Sequence, residues 1–286
     1  MEIIDAQIHR HPCAGSGDTN GTTASAADID VELAVAAMDA VGVDAAVVHW
    51  EDDGFCEAAS SRYPDRFAGI IQLPGIGASY AKFQEIPPNA EAVVEGLRGR
   101  PGVLGFRIVL GWPASGERLH LLREGHLESW FAAAEKYNVP ICIFLSGHLE
   151  EAGRIADRYP GLSIIIDHLG MMPVPLVPVT SDLFASLPDL LDLARFENIA
   201  VKLTGVAALS MEAYPFADLW GSLHQVIAAF GVERLMWGSD YTRTKSVCTY
   251  AELLNLILHT NEVSQADKVM LLGGSIRQWL RWPKDS

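Results

Sequence analysis

Polar side chains that could carry out acid–base chemistry follow apolar runs at several places in the 286-residue chain. Asp240 comes after the run that begins at Leu235, and His168 ends the run that begins at Leu162. Near the start of the chain, His9 closes another apolar run. An ionised carboxylate can accept a proton from water, and a histidine can exchange protons or bind a metal. These three residues are therefore the candidate catalytic groups.

A second set of polar and aromatic residues lies at or near the ends of such runs. The candidate substrate-binding residues are Gln7, Arg107, Lys202, Trp112 and Tyr241. The planar guanidinium of Arg107 suits a substrate carboxylate, although an ion pair with an acidic neighbour such as Asp5 is an alternative. Lys202 could bind substrate, point outward or pair with Asp240. We expect an anionic small molecule as the substrate.

Eight apolar runs of strand length recur along the chain. They begin near Ile3, Ala45, Phe67, Val103, Pro140, Leu162, Ile199 and Leu235. Helical periods alternate with them, at Asp30–Val41, Ala90–Arg98, Leu127–Tyr137, Leu149–Tyr159, Ser186–Phe196, Ala217–Phe230 and Tyr250–His259. This alternation indicates βαβ units and a parallel sheet. The sequence predicts one (β/α)8 TIM barrel over residues 1–286, with its active site at the C-terminal ends of the strands.

Long segments are predicted at that same end of the barrel. They are Arg10–Asp28, Pro74–Asn89, Gly111–Gly125 and Gly170–Pro188, and the last is expected to form a pocket wall or lid. Neighbouring residues on a strand point to opposite faces, so Asp167 and His168 are not expected to act together. His49 is expected at the pocket rim rather than among the catalytic groups.

Composition narrows the class of protein. A hydrophobic content of 49% suits a large core, and a net charge of −15 argues against nucleic acid or an anionic membrane as a partner. The four scattered cysteines favour free thiols in a reducing cytosol. The chain enters a strand at Ile3 without a leader, and no apolar stretch approaches the roughly 18 residues of a membrane span. We expect a cytoplasmic enzyme and leave homo-oligomer formation open.

Six short motifs carry a family resemblance that spans nearly the whole chain, and one of them is Met38-Asp39-Ala40-Val41-Gly42-Val43. The other five are Ile4-Asp5-Ala6-Gln7-Ile8-His9, Gly105-Phe106-Arg107, Ile166-Asp167-His168-Leu169-Gly170, Val201-Lys202-Leu203-Thr204-Gly205 and Trp237-Gly238-Ser239-Asp240-Tyr241. In this order and spacing they resemble the amidohydrolase-2 branch of the amidohydrolase superfamily. The resemblance implies a (β/α)8 barrel and an activity among hydrolases, lactonases and decarboxylases.

The metal-binding pattern of that superfamily is incomplete in this chain. Gln7 stands where the family has the first histidine of His-x-His, and the fifth strand ends without a histidine or lysine. His9, His168 and Asp240 remain and could hold zinc or manganese with an open position. The departures favour a site without a tightly bound cofactor, similar to the metal-free lactonases of the family.

We therefore expect a hydrolase of a small carbonyl compound, most simply a lactone of a carboxylic or sugar acid, with Asp240 as the general base. One alternative is a metal-dependent amidohydrolase or decarboxylase that uses zinc or manganese. Another is a non-catalytic small-molecule binder whose metal site has decayed.

Overall fold

Eight parallel strands form the wall of a barrel. The computed structural model describes residues 1–10, 26–50, 54–72, 86–110, 118–172 and 182–283. The strands are β1 Ile4–Ile8, β2 Ala45–Trp50, β3 Phe67–Gln72, β4 Val103–Val109, β5 Ile141–Phe144, β6 Ile164–Ile166, β7 Ile199–Thr204 and β8 Leu235–Gly238. Each strand pairs with the next along the chain. The Asp240 N–H donates to the Gln7 carbonyl over 3.0 Å, which brings the end of β8 to β1. The predicted (β/α)8 barrel is confirmed.

Helices alternate with the strands and cover the outside of the barrel. They are α1 Ala26–Val41, α2 Phe55–Arg62, α3 Ala90–Arg98, α4 Leu119–Arg123, α5 Glu128–Tyr137, α6 Leu149–Arg158, α7 Leu187–Asp192, α8 Trp220–Phe230, α9 Tyr241–Thr244, α10 Tyr250–Leu258, α11 Gln265–Val269 and α12 Ser275–Trp279. All seven predicted helical segments are present, although the segment Ser186–Phe196 divides into α7 and a 3-10 turn. The unpredicted helices have at most 8 residues, too few for a clear helical period.

Alternate strand residues build a core inside the barrel, separate from the larger core beneath the helices. Its strand residues are Ile4, Ala6, Ala45, Val47, Ala68, Ile70, Cys142, Ile165, Ala200 and Met236. Because side chains alternate along a strand, the following inward positions lie two residues further on. On β2, β7 and the continuation of β6 those positions carry His49, Lys202 and Asp167. The interior therefore changes from apolar to polar toward the C-terminal ends of the strands.

The first strand departs from this alternation. Two residues separate Asp5 from Ile8 on β1, but only one separates their partners Ala46 and Val48 on β2, so β1 contains one extra residue. Such a bulge changes the direction of the side chains that follow it. Ala6 lies in the inner core and Ile8 in the outer one, and Gln7 lies in the polar cluster above the inner core. The bulge thus brings the Gln7 side chain to the site, although it directly follows Ala6, whose side chain also lies inside the barrel.

Several predictions fall on residues outside the described ranges. Trp112 lies outside them, and so do most residues of the long loops that are predicted at the C-terminal end of the barrel. Their roles stay predictions. None of the described helices is long and apolar enough to cross a membrane.

Candidate active site

A buried ion network occupies the C-terminal end of the barrel interior. The Lys202 ammonium lies 3.1 Å from Asp167 Oδ1, and Arg107 Nε donates to Asp167 Oδ2 over 2.7 Å. Burial by itself would raise the pKa of Asp167, but the charges of Lys202 and Arg107 outweigh it and lower that pKa to about 2. Asp167 is therefore a carboxylate at neutral pH. It is Asp167, and not Asp5, that pairs with Arg107.

The Lys202 ammonium has three further neighbours in the same cluster. It lies 2.7 Å from His49 Nε2 and 3.4 Å from Gln7 Oε1, and its charge acts on the Cys142 thiol, whose pKa burial raises to about 11. Burial, reinforced by the nearby Lys202 charge, lowers the pKa of His49 well below its ordinary value, so the ring is neutral and its Nε2 accepts from Lys202. The expectation of His49 at the rim was wrong, since only 1% of it is exposed. Lys202 is fully buried, so it acts through these protein groups.

The His168 ring is held between two partners. Its Nδ1 lies 3.2 Å from the Thr204 carbonyl oxygen, which can only accept, so Nδ1 carries the hydrogen. Its Nε2 then accepts from the Gln7 amide nitrogen at 3.1 Å. Burial lowers the pKa of His168 to about 4 against the opposing charge of Asp167, so the ring is neutral. His168 therefore orients Gln7.

The backbone after β6 explains how two adjacent residues reach one site. The strand ends at Ile166, and His168 and Leu169 take left-handed conformations with φ of 54° and 56°. This turn brings the His168 side chain to Gln7 while Asp167 keeps the inward direction of the strand. The prediction that Asp167 and His168 face opposite sides was wrong, because it extended the strand too far.

Asp240 stands at the end of β8 beside His9. Its backbone adopts the left-handed conformation, with φ of 51°, and its Oδ1 lies 3.4 Å from His9 Nε2. Burial raises the pKa of Asp240 to about 7; the Arg107 charge opposes this, and Asp5 and Asp167 add to it. We expected an ordinary carboxylate that is fully ionised at neutral pH. The structure instead gives a carboxyl group that gains and loses its proton near pH 7.

Asp5 ties the end of β1 to the end of β8. Its carboxylate accepts the N–H of Gln7 at 3.0 Å, the N–H of Ser239 at 2.8 Å and the Ser239 hydroxyl. The side chain is completely buried. Close by, the Tyr241 ring stacks on Tyr250, with 4.1 Å between the ring centroids. A substrate-binding role for Tyr241 remains a prediction.

The contacts above join all six polar residues predicted from the strand ends. These are Gln7, His9, Arg107, His168, Lys202 and Asp240. The His9 and His49 rings, 5.6 Å apart, connect the Asp240 side of the cluster to Lys202. His49 and Cys142 also belong to the cluster, although neither was predicted as a site residue. The alternation from Val47 to His49 was the available signal, because it points both side chains into the barrel.

Neither set of metal-ligating residues fits a divalent ion as the side chains stand. In the predicted set of His9, His168 and Asp240, the Gln7 amide already binds the Nε2 that would ligate. A second group consists of His49, Cys142 and Asp167, whose ligand atoms all lie within 4.8 Å of one another. The Lys202 ammonium lies among these three groups.

The sequence of this barrel matches a known family of enzymes. A family model described as Amidohydrolase matches residues 4–282, and the chain belongs to this family. The protein is thus an amidohydrolase-family hydrolase, in agreement with the resemblance of its motifs. No curated protein matches the sequence.

Solved structures of similar proteins share the fold over nearly the whole chain. An amidohydrolase from Burkholderia multivorans with bound HEPES is 18% identical, with a TM-score of 0.73 over 99% of this chain and 100% of that one. A second structure described in the same words, but with bound zinc, has a TM-score of 0.71 at 18% identity and the same coverage. A putative 2-pyrone-4,6-dicarboxylic acid hydrolase from Pseudomonas putida is 20% identical, with a TM-score of 0.70 over 99% of each chain. At these identities the likeness establishes the fold.

Proposed function

We propose that the protein hydrolyses a small lactone, with Asp240 as the general base that activates water. The observation that carries the proposal is the buried carboxyl group at the end of β8, whose pKa is raised to about 7 by burial. A base works best when its pKa lies near the working pH, because it is then both ionised and a good proton acceptor. Asp240 meets this requirement, and His9 Nε2 lies 3.4 Å from its Oδ1.

The reaction needs two proton transfers at Asp240. Water attacks the lactone carbonyl carbon while one of its protons passes to the Asp240 carboxylate, and the carbonyl oxygen becomes an oxyanion. When the oxyanion collapses, the ring C–O bond breaks and the leaving oxygen takes the proton back from Asp240. The product is an open hydroxy acid. The second hydrogen of the Gln7 amide nitrogen and the His9 ring are the donors that we assign to the oxyanion.

Arg107 supplies the recognition of an anionic substrate in this proposal. Its Nε is committed to Asp167, but among the residues that the structure describes none accepts a hydrogen bond from its two terminal nitrogens. A guanidinium edge of this kind matches a carboxylate in two parallel hydrogen bonds. The name of the Pseudomonas putida neighbour, a hydrolase of a pyrone dicarboxylic acid, agrees with a lactone that carries carboxylates.

The same proposal assigns no metal cofactor to the reaction. Zinc or manganese on His9, His168 and Asp240 would require Gln7 to release His168, and this would open the link between Gln7 and Lys202 as well. A metal-dependent hydrolase or decarboxylase remains the competing function, favoured by the zinc in a neighbouring structure. We also place the enzyme in the cytoplasm, since Cys142 and Cys248 are buried thiols outside any disulfide.

A substrate panel tests the proposal. Neutral and carboxylated lactones would be followed by acid release, and carboxylic acids of similar size by carbon dioxide release. We expect hydrolysis of carboxylated lactones by the wild type and by Asp157→Asn, which alters an exposed aspartate on α6. Carbon dioxide release, or no turnover of any compound by a folded protein that still binds lactones, would support the competing decarboxylase or the non-catalytic binder.

A further inference from the structure

A buried cation stands at the centre of a set of metal-ligating side chains. The Lys202 ammonium lies 2.7 Å from His49 Nε2 and 3.1 Å from Asp167 Oδ1, and the Cys142 sulfur lies within 4.8 Å of the ligand atoms of both residues. The three partners come from β2, β5 and the end of β6. All of these groups are at most 1% exposed. The ammonium is therefore enclosed by an imidazole, a carboxylate and a thiol.

The same three groups have the composition of a zinc or cobalt site. Their ligand atoms lie within 4.8 Å of one another. In a tetrahedral site, bonds of about 2.0–2.3 Å separate ligand atoms by roughly 3.3–3.8 Å, so these side chains need to close by only about 1 Å. Nearby, the Gln7 amide oxygen lies 3.4 Å from the ammonium and would face an ion at that place.

We propose that Lys202 is a built-in cation that fills a metal site made by His49, Cys142 and Asp167, and that its removal opens this site to one divalent ion. The exchange conserves charge. Loss of the ammonium removes one positive charge, the ion adds two, and the thiol proton leaves to solvent. The cluster of ammonium, thiol and carboxylate therefore has the same total charge as the cluster of ion, thiolate and carboxylate. Asp167 keeps a positive partner in both states.

Two substitutions of Lys202 separate the effect of charge from the effect of space. Lys202→Ala removes the ammonium and leaves room for an ion, whereas Lys202→Met removes the ammonium but fills the volume. Each protein would be titrated with cobalt(II), and the near-ultraviolet absorption of a cobalt–thiolate bond would be followed together with metal content. We expect one equivalent with a thiolate band in Lys202→Ala, and no such band in Lys202→Met or in the wild type.

The identity of the thiolate is tested in the same background. Lys202→Ala combined with Cys142→Ser should lose the thiolate band, while Lys202→Ala combined with Cys248→Ser, a buried cysteine outside the cluster, should keep it. Because the ion displaces the thiol proton, binding to Lys202→Ala should strengthen as the pH rises. The readout is optical, so it is independent of the lactonase proposal.

Folding gives a second measurement. Lys202→Ala leaves Asp167 with Arg107 alone, and cobalt should raise its melting temperature, or rescue its refolding if the metal-free variant does not fold. The same addition should leave Lys202→Met unchanged. A cobalt–thiolate band in the wild type would overturn the proposal. So would a Lys202→Ala protein that folds without binding the ion, or one that fails to fold both with and without it.

Discussion

At the residue scale, the environment of Asp240 predicts the pH dependence of the reaction. The base must be ionised to accept a proton, and burial raises its pKa to about 7. The activity kcat/KM should therefore rise as the pH increases through about 7, because the ionised fraction of the free enzyme grows there. Initial rates between pH 5 and 9 on one lactone would show this. A profile already flat above pH 5 would mean that an ordinary carboxylate, or another group, activates the water.

Arg107 allows a second prediction at this scale. Arg107→Lys keeps a positive charge beside Asp167 but loses the planar pair of terminal nitrogens. We expect KM for a carboxylated lactone to rise about tenfold or more, with a much smaller change in kcat, since lost uniform binding appears in KM. Arg154→Lys is the matched control, because that guanidinium is 69% exposed on α6. An unchanged KM would leave Arg107 with only its structural pairing to Asp167.

At the element scale, the join between β1 and β8 positions Gln7 and Asp240 together. Asp5→Ala removes the acceptor of two backbone N–H groups and one hydroxyl, all of them buried. Leaving these donors unsatisfied should cost on the order of 3–5 kcal/mol of unfolding free energy. It should also lower kcat, although Asp5 is not assigned a contact with substrate.

The control for that variant lies in α10. Thr249 is the exposed N-cap residue of this helix, and its hydroxyl accepts the N–H of Glu252 in a capping box. Thr249→Ala should cost about 1 kcal/mol and leave kcat unchanged. Urea unfolding and turnover of both variants would be compared. Equal kcat in Asp5→Ala and the wild type would show that the β1–β8 join does not position the site.

The elements also show what the sequence could and could not predict. Long apolar runs located all eight strands, because strands buried on both faces are nearly continuous in hydrophobic residues. Local backbone irregularities were invisible in the same runs. The extra residue in β1 and the left-handed turn at His168 each redirect a side chain, and neither depends on a residue type that signals it. The strand periodicity therefore predicted the place of the site but not the partners within it.

At the scale of the whole molecule, the chain has a net charge of −15, yet two cationic residues, Arg107 and Lys202, are buried in its interior. The family and the barrel could be predicted from short motifs in a fixed order. The charge balance of the interior could not, because it depends on which buried groups meet. Lys202 was expected to bind substrate, point outward or pair with Asp240, whereas it stabilises Asp167 as a carboxylate.

The location of the Lys202 ammonium among potential metal ligands leads to a prediction about the purified protein. Enzyme prepared without added metal should contain much less than one equivalent of zinc or manganese per chain, and its activity should survive a chelator. The reason is that the Lys202 ammonium and the Gln7 amide already occupy the ligands of both candidate sites. Elemental analysis and assays before and after dialysis against chelator would measure this. Loss of activity that returns with zinc would contradict it.

The proposed hydrolysis depends most on activation of water by the Asp240 carboxylate. Asp240→Asn keeps the shape of the side chain and removes its basicity, so kcat for the best lactone should fall by about 10²–10⁴-fold. Circular dichroism should show an unchanged fold, and Asp157→Asn should keep wild-type turnover. A measurement of kcat for these three proteins on one substrate is the most direct test. A fall within that range supports Asp240 as the general base, and near-wild-type turnover in Asp240→Asn contradicts that role.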